Sequence, residues 1–150
     1  IAPTGIVPVA DKSYEAVLSI QVLAHVTAPA AYLAEARRLL KPGGRLVLST
    51  HGFWAYHPSP TDYWRWTNAG LRKLLEDQGY KVLHFTGVMG MVPAALQMIQ
   101  DHLRRKLPAP LMRVFCAFMQ TLVAWTDRMH SDTARTHDAM IYVVVLEARN

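Results

Sequence analysis

Apolar residues along this chain follow two rhythms. Short, nearly unbroken runs occur at Ala16-Val17-Leu18-Ser19-Ile20 and at Leu46-Val47-Leu48, and a longer one at Ala139-Met140-Ile141-Tyr142-Val143-Val144-Val145-Leu146. A half-exposed strand alternates apolar and polar positions, so unbroken runs predict strands buried on both faces of a mostly parallel sheet. Between the first two runs, Leu33, Ala36, Leu39 and Leu40 recur at helical spacing. That spacing predicts a helix over 28–40, with Thr27 as its N-cap and Pro29 in its first turn. Lys41-Pro42-Gly43-Gly44 ends it, because proline disfavours helical geometry in the residue before it and glycine takes the positive φ of a tight reversal. Strand, helix, glycine turn, strand is the grammar of a βαβ unit.

A second amphipathic helix is predicted over 68–78, capped by Thr67, burying Leu71, Leu74 and Leu75, and stopped by Gly79. Residues 80–86 then read as a strand. From Val92 to Met129 the pattern is helical with a break at Leu107-Pro108-Ala109-Pro110, which predicts two helices around a proline hinge. Met112, Phe115, Cys116, Met119, Leu122 and Val123 mark one stripe of the second helix, while Val114, Phe118, Ala124 and Trp125 extend its apolar surface. At about fifteen apolar-dominated residues it is too short for a transmembrane span of about 20 residues. A buried helix or a membrane-surface helix fits better. The whole chain is therefore expected to be one partial α/β domain over residues 1–150, with a helical insertion at about 92–130.

Composition changes this picture little. At 150 residues, 51% hydrophobic and 18% charged, the chain is long and apolar enough for a packed core. Its net charge of +5 raises the question of nucleic acid, but the cations are scattered without interleaved aromatics, and only Arg104-Arg105-Lys106 forms a run. No nucleic-acid partner is expected. The single cysteine, Cys116, rules out an internal disulfide and favours a reducing compartment, the cytoplasm, with a membrane-peripheral position as the alternative. His51 with His57 and His130 with His137 match no standard zinc spacing, so no metal is expected.

The chemistry is concentrated after the second strand, where His51-Gly52-Phe53-Trp54-Ala55-Tyr56-His57-Pro58-Ser59-Pro60-Thr61-Asp62-Tyr63-Trp64-Arg65-Trp66-Thr67 forms a long loop dense in aromatic and titratable residues. Open α/β sheets bind ligands beyond the carboxyl ends of their strands. Topology thus places this loop and the segment from Ile20 to His25 on one edge.

Together with Val7-Pro8-Val9-Ala10-Asp11-Lys12-Ser13-Tyr14-Glu15, with Glu35-Ala36-Arg37-Arg38-Leu39-Leu40-Lys41-Pro42-Gly43-Gly44, and with Asp62-Tyr63-Trp64-Arg65-Trp66-Thr67, these segments make the chain resemble the class I S-adenosylmethionine-dependent methyltransferases, small-molecule branch. The resemblance runs over roughly residues 5–87, and the final strand is similar to the family's antiparallel seventh strand. It implies a partial Rossmann-like sheet of strands four to seven, S-adenosylmethionine as cofactor, and a small-molecule or lipid-linked acceptor. It also implies a carboxyl-terminal part of a longer enzyme, inactive alone, because the family's glycine-rich turn and the acid ending its second strand have no counterpart here. Glu15 stands where the family has aspartate, and Ala24 where many members have glutamate.

For the cofactor the resemblance points to Ile20, Gln21 and Val22 near the methionine moiety, with His25 closing the site. His57 and Asp62 are the catalytic candidates, a base and its orienting partner, since histidine titrates near neutral pH. Trp54, Tyr56, Tyr63 and Arg65 are the substrate-binding candidates, the aromatics as walls that exclude water or face a sulfonium by cation–π attraction. Two other classes compete: a non-catalytic interaction or membrane-surface module built on helix 111–125, and a nicotinamide-dependent oxidoreductase fragment, which lacks a glycine fingerprint here.

Overall fold

The computed structural model describes residues 5–149. Its elements run β1 (Tyr14–Ile20), α1 (Pro29–Leu39), β2 (Leu40–His51), α2 (Asn68–Asp77), β3 (Tyr80–Val88), α3 (Met91–Leu103), α4 (Ala109–Met129), α5 (Asp132–His137) and β4 (Ile141–Ala148). The four strands form one sheet in the order β1-β2-β4-β3. β1 and β2 are parallel, and β4 runs antiparallel to both β2 and β3. The carboxyl ends of β1, β2 and β3 therefore share one edge, as the βαβ reading requires.

Local chemistry explains most boundaries. Thr67 accepts a hydrogen bond from the Gly70 N–H and caps α2, and Gly79 ends that helix at φ +79°. The cap of α1 is Ala28 rather than the expected Thr27, with no side-chain bond; Pro29 at the first helical position supplies the preset φ instead. Gly43 takes φ +73° in the reversal, and β2 begins already at Leu40, with a register shift opposite Tyr14 and Ala16. The short helix α5 lies beyond the expected insertion at 92–130. Ser131 caps it by accepting from the Ala134 N–H.

The core lies on one face of the sheet. Leu33 and Ala36 of α1 and Leu71 and Leu75 of α2 form a single cluster with Leu46, Leu48, Tyr80, Tyr142, Val144 and Leu146. The Tyr80 hydroxyl donates to the Leu33 carbonyl at 2.9 Å, and burial pushes this phenol's pKa well above its ordinary value. The other face differs from expectation. Leu18 lies beside Val47, which lies beside Val145, and Ile20 follows the same line with Ser49 and Val143. Leu18 is 70% exposed and Ile20 58%. The apolar runs predict cover on both faces; within the described residues the crossover helices α1 and α2 join the same core cluster and cover one.

Candidate functional site

β1 ends in an unusual backbone turn. Gln21 has φ +56°, a left-handed conformation that costs a non-glycine residue of order 1 kcal/mol. Its N–H is held by both the carbonyl and the Oγ of Ser49, at 3.0 and 3.2 Å, which locks the strand end to β2. A single 3-10 turn, Leu23–His25, follows and buries Leu23 and Ala24. β2 ends at His51, and Gly52 lets the chain pass the Ala139 carbonyl where a Cβ would stand 2.0 Å from that oxygen.

The aromatic loop then folds back onto the turn after β1. The Ala24 carbonyl accepts from the N–H groups of Tyr63 and Trp64, and the Trp64 indole donates to the Val26 carbonyl at 2.7 Å. His25 Nδ1 lies 2.6 Å from the Thr61 carbonyl. A carbonyl only accepts, so this bond places the proton on Nδ1 and leaves Nε2 as an acceptor in the neutral ring. The rings of His25 and His57 come within 6.3 Å, edge to face. The two strand-end segments thus occupy one rim.

Inside the loop the organising pair is Asp62 with Arg65. The Asp62 carboxylate is almost wholly buried, receives the Arg65 guanidinium through both oxygens, and accepts the His57 main-chain N–H at 2.8 Å. Arg65 also donates to the carbonyls of Trp54, Ala55 and Trp64. Chiefly through Arg65, the Asp62 carboxyl is held down at about pKa 2. Asp62 is expected to orient the His57 ring; the bond it makes to that residue is to the main-chain N–H, through the oxygen that also accepts from Arg65.

Trp54, Tyr56, Tyr63 and Arg65 line one cavity of about 240 Å³ together with Asp62 and Trp64. A larger cavity of about 740 Å³ adjoins it, bounded by His25, Tyr32, Thr61 and Tyr63 among others. Tyr63 is common to both. Ile20, Gln21, Val22 and His57 line neither, so the candidates divide into a loop cavity and a strand-end rim.

Sequence reasoning gave no role to His51. Its ring is half-buried, and burial followed by the nearby positive charge of Arg65 pushes its pKa below the ordinary value. His51 Nδ1, Gln21 Oε1, Thr50 Oγ1 and Trp66 Nε1 are the buried side-chain polar atoms without a partner among the described residues. All four belong to the ends of β1 and β2 or to the end of the aromatic loop. No sequence signal marks such atoms, since pairing depends on tertiary geometry. No cluster of His, Cys, Asp or Glu suited to a metal occurs among the described residues.

Residues 3–48 match the family described as a methyltransferase domain. Over 41 residues the chain is 49% identical to a ubiquinone biosynthesis O-methyltransferase of Cereibacter sphaeroides, covering 27% of this chain and 17% of that protein. Over 44 residues it is 46% identical to a demethylmenaquinone methyltransferase of Tropheryma whipplei, covering 29% and 18%. Among solved structures, the [4+2]-cyclase SpnF superposes with a TM-score of 0.59 at 17% identity, covering 99% of this chain and 55% of that one. The 1,6-didemethyltoxoflavin-N1-methyltransferase of Burkholderia thailandensis, solved with 1,6-didemethyltoxoflavin and S-adenosylhomocysteine bound, gives 0.55 at 13% identity, covering 99% and 49%. The chain thus spans about half the length of these structures and less than a fifth of the curated relatives in the matched segments. A cyclase among the neighbours illustrates that this fold alone does not fix a reaction. Residues 3–48 carry the methyltransferase-domain pattern, and the described chain shares the Rossmann-like α/β fold of these solved structures.

Proposed function

We propose that this chain is part of an enzyme that transfers a methyl group from S-adenosylmethionine to a small-molecule or lipid-linked acceptor. One observation carries this reading: Gln21 Oε1 and His51 Nδ1, at the carboxyl ends of β1 and β2, are buried without a partner among the described residues. Native proteins pair most buried polar atoms, so two exceptions at the ligand-binding edge of the sheet support a ligand there. When bound, the cofactor supplies an electrophilic methyl group on a sulfonium. Gln21 Oε1 is an acceptor suited to an ammonium donor, and the main chain of Ile20, Gln21 and Val22 presents the remaining polar groups. The glycine-rich turn and the ribose-binding acid are assigned to a longer protein, whose helices would also cover Leu18 and Ile20.

His57 is the proposed base, taking a proton from a hydroxyl acceptor onto its ring. The Asp62–Arg65 pair fixes the loop that carries it, and His25 holds the facing segment through Thr61. Trp54, Tyr56 and Tyr63 line the neighbouring cavity in which the acceptor would be held, so that proximity does much of the work. The longer parent protein should bind S-adenosylmethionine in isothermal titration, and a flat titration would sink the reading. In that parent, His57→Ala should lower kcat by about 100-fold or more with cofactor affinity little changed. Unchanged turnover would reduce His57 to packing.

A further inference from the structure

The helices α3 and α4 pack on each other as a hairpin, through Met119 and Val123 and through Gln120, which bonds Gln97 and Gln100. This arrangement uses only part of the apolar surface of α4. Leu111, Val114, Phe118, Trp125 and Met129 remain 53, 69, 65, 58 and 68% exposed. At 100° per residue these five lie within an arc of about 60°, so they form one stripe along a helix about 31 Å long. α3 adds exposed Val92, Ile99 and Leu103. Single exposed apolar side chains are ordinary, whereas a continuous line of large ones marks an interaction surface.

We propose that this hairpin docks on the surface of an anionic lipid bilayer, independently of the reaction assigned to the rim. Charge complementarity selects this occupant. Arg104, Arg105 and Lys106 form the exposed 3-10 turn at the hairpin tip, and Arg113 follows one turn into α4. Against these four cations the same stretch has one carboxylate, Asp101, paired with Arg104. An apolar stripe containing tryptophan and phenylalanine, next to a cationic cluster, matches the boundary between acyl chains and negative headgroups. Among the described residues no helix is long and apolar enough to cross a membrane, which makes the contact superficial. A second copy zipped along α4 fits less well. The stripe at 111, 114, 118 and 125 places Thr121 and Arg128 where a coiled-coil seam needs apolar residues.

The test is sedimentation of the full chain with phosphatidylcholine vesicles, with and without phosphatidylglycerol. Binding is expected with the anionic vesicles and should weaken several-fold at high salt. Arg105→Glu with Lys106→Glu should reduce it about tenfold or more, and Phe118→Ser with Trp125→Ser should reduce it comparably. All four sites are exposed, and an unchanged circular dichroism spectrum separates lost docking from lost folding. No sedimentation with anionic vesicles, or sedimentation insensitive to lipid charge, would overturn the proposal. So would a concentration-dependent dimer that Phe118→Ser dissolves without any vesicle binding by the monomer.

Discussion

The two faces of the sheet have similar side chains and opposite fates. On one, Leu46, Leu48, Val144 and Leu146 disappear beneath α1 and α2; on the other, Leu18 and Ile20 stand in solvent beside half-buried Val47, Val143 and Val145. Strand composition therefore specifies what a face can bury, and helices elsewhere in the chain decide whether it does. The open face has the pattern of a parallel sheet covered on both sides. Its exposure agrees with a chain that spans about half the length of its structural neighbours.

The largest expected difference between the faces is in stability. Leu48→Ala should cost about 2–5 kcal/mol in chemical denaturation, because it opens a cavity in a packed cluster. Leu18→Ala should change the same chain by about 0.5 kcal/mol or less. Equal losses would show that the open face is covered after all.

A smaller effect asks whether the rim behaves like the covered face. Arg65→Ala leaves the Asp62 carboxylate buried without its cation and should cost about 1–3 kcal/mol, measured by thermal unfolding. The pair should also set an acid limit. The Asp62 pKa is depressed in the folded state, so its contribution is complete above the ordinary carboxylate value near 4 and is lost as pH falls towards about 2. In Arg65→Ala that acid-dependent loss should shrink.

The smallest effect concerns His51. Its half-buried ring should titrate below the ordinary histidine value near 6.5 when followed by NMR. The neutral form is favoured on folding, so this group makes stability rise with pH through the window below about 6.5. Arg65→Ala should move the His51 titration upward, and an unmoved value would show that burial alone sets it.

Much of the architecture was legible in the sequence because its signals are local. The Thr67 cap and the stop at Gly79 depend on a few neighbouring residues and stand where the pattern puts them, while the break expected at Leu107–Pro110 falls slightly earlier, between Leu103 and Ala109. The meeting of the two strand-end segments followed from topology and is realised at His25 and His57. What could not be read is pairing across long separations. Asp62 accepts both the Arg65 guanidinium and the His57 main-chain N–H, and His25 takes its orientation from the Thr61 carbonyl. A backbone carbonyl has no letter in the sequence. The single-face burial was hidden for a related reason: an apolar run records the cover a strand is built for, and β1 lacks that cover within the described residues.

β4 has a consequence for how the molecule comes together. It lies in the interior of the sheet, with β2 on one side and β3 on the other, although both are earlier in the chain. The strands it joins cannot close their ladders until residues 141–148 arrive between them. Pairing over such separations carries a large loop-closure cost before any contact is gained. A nascent polypeptide would leave the ribosome's tunnel with the sheet still divided, and the short α1 and α2 without the complete sheet they pack on. Folding is thus weighted towards a late insertion step, and substitutions in β4 should slow refolding more than those in β1.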